Sequence, residues 1–261
     1  MSESPRVVIV TGGSRGIGRA IAERFASDGA SLMLTGRDAT ALDDVADRLR
    51  GTGADVITSA GDVAAPGTAE HAVQQALERW GRVDVLVNNA GVLGEASFAD
   101  TGAEEWNHVL TTNVVGPALF ARAAVPAMAA ERDGVIINIG SIYAHGADVG
   151  APAYAASKAA LAALTRQLAV EFGPTGVRCL TVTPGWVDAG MLEEDFGPDV
   201  AQRLRTDFER MPLRRLVTAD EIAGVCLFVA SSAASAMTGT EIVVDGGALA
   251  ELHIVPTTKG Y

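Results

Sequence analysis

The sequence is short of positive charge. Of its 261 residues, 20 are Lys or Arg and 32 are Asp or Glu, which gives a formal net charge of −12. A nucleic-acid-binding protein needs clustered basic side chains to neutralise phosphates, and docking on an anionic membrane needs similar clusters. We therefore expect neither nucleic acid nor a membrane surface among the partners of this protein.

Cysteine is also scarce, since only Cys179 and Cys226 occur and each lies inside an apolar run. This placement favours two buried free thiols over a disulfide. Residues 1–5 lack the features of a signal peptide, and no unbroken apolar stretch reaches the roughly 18 residues of a transmembrane helix. The histidines show no metal-ligand spacing. These features predict a soluble, cytoplasmic protein without a catalytic metal.

Apolar residues are abundant, at 48% of the chain, which excludes disorder and leaves ample material for a core. Seven apolar runs alternate with helix-length segments, a pattern typical of a parallel sheet covered by helices on both faces. The runs are 6–10, 31–35, 55–59, 83–87, 135–139, 177–182 and 241–244. The helical segments are 16–27, 39–49, 68–80, 104–130 with an interruption near Pro117, 153–172 and 219–230. We predict one α/β domain over residues 1–261 with a doubly wound, seven-stranded parallel sheet.

Two segments interrupt this alternation. Residues 188–216, here called the lid segment, separate the sixth strand from the last long helix and are too long for an ordinary connection. A connection of this length in a compact domain usually acts as a lid or binding element, with disorder as the alternative. Residues 248–261 form a C-terminal tail without clear periodicity, which either frays or packs on a neighbouring subunit.

A glycine-rich turn, TGGSRGIG at residues 11–18, follows the first predicted strand and opens the first helix. In such a turn Gly12 permits a tight bend, Gly16 lets the backbone approach a pyrophosphate, and Gly18 allows close helix packing. The helix N-terminus then offers free N–H groups and a positive dipole end to the phosphates. The position of this turn in an alternating chain predicts a dinucleotide site.

The end of the second strand indicates which dinucleotide is bound. An acidic residue at this position would hold the 2′-hydroxyl of NAD, but the strand here is followed by Gly36 and Arg37. Arg37 and Arg15 could together pair with a 2′-phosphate. The competing interpretation uses Asp38 as the ribose-binding acid, although Asp38 is better placed to cap the helix that begins at Ala39. The sequence favours NADP(H) over NAD(H).

The strongest chemical signal is Tyr154 followed by Lys158, because positions i and i+4 lie on one helix face. A phenol is a poor acid or base at neutral pH, and a nearby cation lowers its pKa. Ser141, after the fifth strand, supplies a hydroxyl that could bond a carbonyl oxygen. Asn113 lies in the long helical segment after the fourth strand. Taken singly, each of these residues also has an ordinary structural explanation, such as a turn, a helix cap or surface packing.

The combined order and spacing of these motifs resemble those of the short-chain dehydrogenase/reductase family. The resemblance rests on residues 11–18, 88–91, 113, 141, 154, 158 and 184–185, and it continues through 238–241 and 244–247. It spans nearly the whole chain and is specific for the family rather than for a substrate. It implies a Rossmann fold and hydride transfer between a nicotinamide cofactor and a carbonyl or alcohol.

The resemblance also implies roles for four residues. Tyr154 would be the general acid in reduction and the base in oxidation. Lys158 would lower the pKa of Tyr154 and bind the nicotinamide ribose. Ser141 would polarise and orient the substrate carbonyl, and Asn113 would hold a water in a proton relay to Lys158.

Further residues are expected at the cofactor. By the resemblance, Asp62 and Val63 would contact the adenine ring, Asn89 the adenosine side of the cleft, and the Val187 backbone the carboxamide. One departure from the family is Ala189, where a Thr often helps to hold the carboxamide. The full set that we expect at the cofactor is Gly12, Ser14, Arg15, Gly16, Ile17, Gly18, Arg37, Asp62, Val63, Asn89, Ala90, Gly91, Tyr154, Lys158, Pro184, Gly185 and Val187.

The sequence predicts the substrate only by class. The chain resembles bacterial 3-oxoacyl-acyl-carrier-protein reductases and their relatives in general appearance. Because the acidic carrier of those enzymes would meet an acidic surface here, we favour a small, free and largely apolar carbonyl substrate. A non-catalytic NADP(H)-binding sensor and a dehydratase or epimerase remain alternatives. By analogy with the family, the apolar helix at 153–172 favours a homotetramer. The residues expected in the substrate wall are Tyr143, His145, Trp186, Met191, Leu192 and Phe196.

Overall fold

The structure, a computed structural model, describes residues 5–94, 96–190, 192, 197–209 and 211–251. Its main sheet has seven parallel strands in the order β3-β2-β1-β4-β5-β6-β9, and β7 pairs with β8 in a separate two-stranded ladder. The strands are β1 Val7–Thr11, β2 Ser31–Gly36, β3 Val56–Ala60, β4 Val85–Asn88, β5 Gly134–Ile139, β6 Val177–Pro184, β7 Val187–Asp188, β8 Val217–Thr218 and β9 Glu241–Val244. The seven predicted strands are confirmed, and so is the fold class.

The described part of the chain contains eight α-helices, most of which cover the two faces of this sheet. They are α1 Gly16–Ser27, α2 Ala39–Gly51, α3 Thr68–Trp80, α4 Ala103–Leu110, α5 Gly116–Glu131, α6 Pro152–Phe172, α7 Pro198–Thr206 and α8 Ala219–Ala230. Three short 3₁₀ turns lie at Ile142–Ala144, Gly173–Thr175 and Ser232–Ala234.

The continuous apolar runs arise because each central strand is buried on both faces. Along β1, Val8 belongs to the cluster that contains Phe25 of α1, whereas Ile9 belongs to the cluster that contains Phe120 of α5. All four side chains are almost fully buried. Alternate residues of one strand therefore pack into two separate hydrophobic cores. This explains why the sequence shows continuous apolar runs instead of alternating apolar and polar residues.

The long helical segment is interrupted near Pro117, as predicted. The interruption is a π-helical turn at Thr111–Val115, and Pro117 lies just after it in the first turn of α5. By length and composition alone the run Ala103–Glu131 could cross a membrane, a property that it shares with core helices of globular proteins. This π turn contains Asn113, one of the four candidate catalytic residues.

The lid segment has regular structure of its own. Its described part contains α7 and joins β7 to β8 through backbone pairing of Val187 with Val217. Arg205 of α7 donates to Asp188 at 2.6 Å, and the rings of Trp186 and Phe208 meet edge to face at 5.6 Å. These contacts dock the described part of the lid segment beside the end of β6. Of the C-terminal tail, residues 252–261 lie outside the described residues.

The two cysteines are buried free thiols, as predicted. Burial raises the pKa of both the Cys179 and the Cys226 thiol to about 12. A thiol with so high a pKa carries almost no thiolate at neutral pH, so both side chains act as small core residues.

Candidate active site

The candidate cofactor site lies at the carboxyl ends of β1 and β4, where the strand order reverses. Chain connections leave the sheet in opposite directions from these neighbouring strands, which opens a crevice between them. The crevice is a cleft of about 540 Å³, here called the cofactor cleft. The predicted residues that line it are Gly12, Ser14, Arg15, Gly16, Ile17, Arg37, Asp62, Val63, Asn89, Ala90 and Gly91.

The glycine loop has the backbone conformations that the sequence requires. Gly12 and Gly16 adopt φ of +66° and +55°, in the left-handed region that favours glycine. Gly18 has a different reason to be glycine, because a Cβ there would overlap the Gly12 carbonyl oxygen and Asn89 Nδ2. This close packing places the N-terminus of α1 directly beneath the loop, as an anion site needs.

The loop is held by contacts that the sequence did not reveal. Asn89 Nδ2 donates to the carbonyls of Thr11 and Gly12 at 2.9 and 3.2 Å. In return, the Thr11 hydroxyl accepts the backbone N–H groups of Asn89 and Ala90, both at 3.0 Å. Asn89 therefore braces the loop, in addition to lining the cleft. The available signal was a threonine at the end of the first strand, immediately before the first glycine.

Two guanidinium groups lie at the edge of the cofactor cleft. Arg15 and Arg37 are exposed lining residues, and neither has an ion-pair or hydrogen-bond partner among the described residues. Asp38 is used locally, since its Oδ1 accepts the Ala41 N–H at 3.0 Å and caps α2, as predicted. The two arginines are thus available to an anion.

Two of the four candidate catalytic side chains, Tyr154 and Lys158, lie next to each other on α6. Lys158 is buried, its Nζ donates to the Ile139 carbonyl at 2.8 Å, and the same nitrogen lies 5.4 Å from the centroid of the Tyr154 ring. Burial lowers the pKa of Lys158 to about 8. At neutral pH the group is still mostly a cation, next to the phenol.

The pKa of Tyr154 differs from its expected direction. Burial raises the pKa of this phenol, while a hydrogen bond with Ser141 acts in the opposite sense. Burial is the larger effect, so the lowering expected from Lys158 does not set the direction of the shift in the pKa of Tyr154. Tyr154 therefore keeps its proton at neutral pH.

Asn113 lies within the π turn, and its side-chain amide makes three hydrogen bonds. Its Nδ2 donates to the Val92 carbonyl and to Ser157 Oγ, and its Oδ1 accepts the Val92 N–H, all at 2.9 Å. The side chain therefore ties the π turn to the loop after β4 and to α6. Oδ1 keeps a second lone pair, which could accept a hydrogen bond from the relay water that the resemblance implies at Asn113.

Gly91 connects the cofactor cleft to the catalytic group. A Cβ built on Gly91 would lie 3.2 Å from Asn113 Oδ1 and 3.8 Å from Lys158 Nζ. The cofactor cleft therefore continues directly into the space beside the lysine.

The segment after β6 contributes to the wall of the cofactor cleft. Gly185 donates to the Val244 carbonyl at 3.1 Å and leaves no room for a side chain against Asp245. Ala189 lines the cofactor cleft, and its Cβ would be 3.6 Å from a Cβ on Gly16. The residue that departs from the family pattern therefore lies directly over the glycine loop. The members of the predicted cofactor set that do not line the cleft are Gly18, Tyr154, Lys158, Pro184, Gly185 and Val187.

A second cavity of about 510 Å³, here called the substrate pocket, lies beside Tyr143. Tyr143 packs its ring edge to face on Tyr154, with 5.5 Å between centroids. The described lining residues are Ile142, Tyr143, Gly146, Ala147, Asp148, Trp186, Ala248 and Leu249. Two of the predicted substrate residues, Tyr143 and Trp186, are thus in this wall.

The other predicted substrate residues are placed differently. His145 does not line the substrate pocket and instead contacts Glu241. Leu192 is buried in the core cluster on the α1 face of the sheet. Met191 and Phe196 lie outside the described residues.

Known proteins share this sequence and fold over most of the chain. A family model described as enoyl-(acyl carrier protein) reductase matches residues 12–248. Oxidoreductase UcpA of Escherichia coli O157:H7 is 36% identical over 247 residues, covering 93% of this chain and 94% of that protein. The 3-oxoacyl-[acyl-carrier-protein] reductase FabG of Chlamydia pneumoniae is 34% identical over 241 residues, covering 92% and 95%. The crystal structure of a short-chain type dehydrogenase/reductase from Mycobacterium marinum superposes with a TM-score of 0.86 at 33% identity, covering 94% of this chain and 96% of that one.

Proposed function

The chain belongs to the short-chain dehydrogenase/reductase family, and we propose that it uses NADP(H) to interconvert a ketone and a secondary alcohol. The proposed substrate is a small, largely apolar metabolite. Membership makes it an oxidoreductase acting on CH–OH or C=O groups, in a family that binds nicotinamide cofactors. The observation that carries the finer proposal is the position of Lys158, whose Nζ lies 5.4 Å from the centroid of the Tyr154 ring and 3.8 Å from a Cβ built on Gly91, a residue that lines the cofactor cleft.

The residues present fit such a cofactor. The left-handed glycines and the N-terminus of α1 form a cradle for a pyrophosphate, in which a side chain at Gly18 would collide. When bound, the cofactor supplies or accepts the hydride. The protein's part is to orient the two reactants and to manage the proton.

In the proposed reduction, Tyr154 donates its proton to the substrate oxygen. The raised pKa of Tyr154 keeps the phenol protonated at neutral pH, as a proton donor must be. Ser141, which acts to lower the pKa of Tyr154 against the effect of burial, would orient the carbonyl oxygen between the two hydroxyls. The Lys158 cation would stabilise the tyrosinate that remains. In the reverse direction the tyrosinate is the base, so oxidation should be favoured by higher pH.

Cofactor preference can be tested at the two arginines on the edge of the cofactor cleft. An Arg15→Ala, Arg37→Ala double variant should bind NADPH about 100-fold more weakly, since each charge-assisted contact with a phosphate contributes about tenfold. Its affinity for NADH should change less than about threefold, because NADH lacks the 2′-phosphate. Fluorescence titration with both cofactors gives the two dissociation constants.

Arg48→Ala is the matched control, because Arg48 is an exposed arginine on α2 that does not line the cofactor cleft. It removes the same charge and should leave both dissociation constants unchanged. Equal losses for NADPH and NADH in the double variant would refute the assignment of a 2′-phosphate to these arginines.

The substrate pocket supports a neutral, apolar substrate. Its described lining is mostly apolar or aromatic, and Asp148 is the one charged side chain among these residues. Asp148 has no ion-pair partner among the described residues and accepts only the Val149 N–H, at 2.8 Å. An anionic substrate would therefore meet a like charge with no basic group nearby in the described lining.

A panel of ketones tests the function itself. Neutral ketones are paired with keto acids of similar size, and turnover is measured by the loss of NADPH absorbance. The kcat/KM of the neutral member of each pair should be about fivefold higher, because the acid meets one screened like-charge contact. The relative named as FabG makes 3-oxoacyl groups on acyl carrier protein the second candidate. If such carrier-bound substrates turn over faster than every free ketone, the second candidate is correct.

The quaternary structure and location belong to the same proposal. We expect a homotetramer in the cytoplasm, built through the long helices as in other family members. On α6, Val170 is 77% exposed, an apolar side chain that a partner subunit could cover.

A further inference from the structure

The two walls of the substrate pocket come from different parts of the chain. One wall is the loop between β5 and α6, residues 142–150, here called the substrate loop, which contributes Ile142, Tyr143, Gly146, Ala147 and Asp148. The opposite wall is formed by Trp186, two residues after β6, and by Ala248 and Leu249, which follow β9. His145 lies in the middle of the substrate loop but does not line the pocket.

The side chain of His145 reaches across to the base of the opposite wall. Its Nε2 lies 2.6 Å from Oε2 of Glu241, the first residue of β9. The same oxygen accepts the hydroxyl of Thr183 in β6 at 3.2 Å. The Glu241 side chain is only 18% exposed and Thr183 is fully buried, so this carboxylate is held on the sheet when it meets the histidine. His145 and Glu241 are here called the wall clip.

The substrate loop has few other attachments. Its backbone bonds stay within the 3₁₀ turn and its continuation, from Ala144, His145 and Gly146 back to Ser141 and Ile142. Among the described residues, the wall clip is the hydrogen-bonded contact that ties residues 142–150 to another strand or helix. Val149 is 92% exposed, so burial does little to hold the far end of the loop. Loss of the clip would leave the loop held at its first residues, by the burial of Ile142 and the packing of Tyr143 on Tyr154.

We propose that His145 is a positioning residue which, through Glu241, fixes the separation of the two pocket walls and so determines the size of ketone that the enzyme accepts. The inference rests on the proposed function. The strands that carry Glu241 and Thr183 are the ones that lead to Ala248 and Trp186, so the clip sets the substrate loop against both parts of the opposite wall. His145 acts through the loop and does not touch the reacting atoms.

The test compares His145→Ala with His145→Gln, using small and bulky ketones. In His145→Ala, KM for a small ketone should rise about tenfold, the size of one hydrogen bond to a charged group, while kcat and the KM for NADPH change less than about twofold. The kcat/KM ratio of bulky to small ketone should shift at least about fivefold toward the bulky one. His145→Gln keeps a donor for Glu241 and should restore the parent values.

Three further measurements separate the possible outcomes. His71→Ala, at an exposed histidine on α3, is the matched control and should change nothing. Combining Glu241→Ala with His145→Ala should add little to either single variant, since both break the same clip. Unchanged size selection in His145→Ala, or parallel losses of kcat, KM and melting temperature that Gln does not rescue, would overturn the proposal.

Hydrogen exchange distinguishes failure of the clip from failure of the proposed function. If the parent protein reduces no ketone, the proposed function is wrong, and the clip is then judged by amide exchange alone. His145→Ala should speed exchange in residues 142–150, with His145→Gln near the parent rate. Equal exchange in all three proteins would refute the clip whatever the activity.

Discussion

A Tyr154→Phe variant is expected to lose turnover by at least about 10³-fold while binding NADPH as tightly as the parent. The substitution removes only the hydroxyl, and positioned proton transfer contributes about 10²–10⁴-fold to such rates. The ring is kept, together with its edge-to-face packing on Tyr143 at 5.5 Å and its place beside the Lys158 ammonium. Steady-state turnover with a ketone and a fluorescence titration with NADPH measure the two quantities separately.

Tyr143→Phe is the matched control, because it removes a phenol hydroxyl from the neighbouring ring in the substrate pocket. It should change KM for the ketone and leave kcat within about threefold, since Tyr143 lines the pocket without contacting Lys158. Turnover retained in Tyr154→Phe would contradict the proposed mechanism. Equal loss of NADPH binding in that variant would show that the tyrosine is needed for the site to form, and not for proton transfer.

Local features of this site could be predicted from the sequence because neighbouring residues create them. The glycine loop needs Gly12 and Gly16 at left-handed positions, and Asp38 needs only the start of α2 to act as its cap. Tyr154 and Lys158 share a helix face by spacing alone. Each of these arrangements involves residues fewer than about five positions apart, within the reach of local rules.

Features that depend on strand order could not be predicted in this way. Asn88 Nδ2 donates to Asn138 at 2.9 Å, and the Asn138 amide donates to Thr165 at 2.8 Å, which in turn bonds Thr181. This buried network links β4, β5, β6 and α6. Its members are up to 93 positions apart in the chain, and only the order of the strands brings them together. In an isolated sequence they are ordinary polar residues within or beside apolar segments.

Burial explains the prediction that was wrong for Tyr154. The spacing of Tyr154 and Lys158 suggested a lowered phenol pKa, but spacing does not reveal how much water surrounds the pair. Lys158 is only 5% exposed, and the same burial that lowers its pKa to about 8 acts on the phenol in the opposite sense. The sign of a pKa shift therefore had to come from the packed structure.

A Gly18→Ala variant should bind NADPH at least about 100-fold more weakly and lose about 3 kcal/mol of unfolding free energy, the upper end for overpacking a rigid site. The added methyl would overlap the Gly12 carbonyl and the Asn89 amide, which are hydrogen-bonded to each other. Neither can move alone, because Asn89 also bonds Thr11, so the glycine loop must shift away from α1. Cofactor titration and denaturant unfolding measure the two losses.

Gly51→Ala makes the same chemical change where nothing lies within 4 Å, at the exposed end of α2. It should leave NADPH affinity unchanged and raise the unfolding free energy by about 0.5–1 kcal/mol, the helix preference of Ala over Gly. The opposite signs of the two variants separate steric collision from the general effect of replacing a glycine. Normal NADPH affinity in Gly18→Ala would mean that the loop can bind phosphates without resting on α1, contrary to the cradle that the backbone geometry forms. A loss of stability with normal affinity would lead to the same conclusion, because the loop and the helix would then act independently.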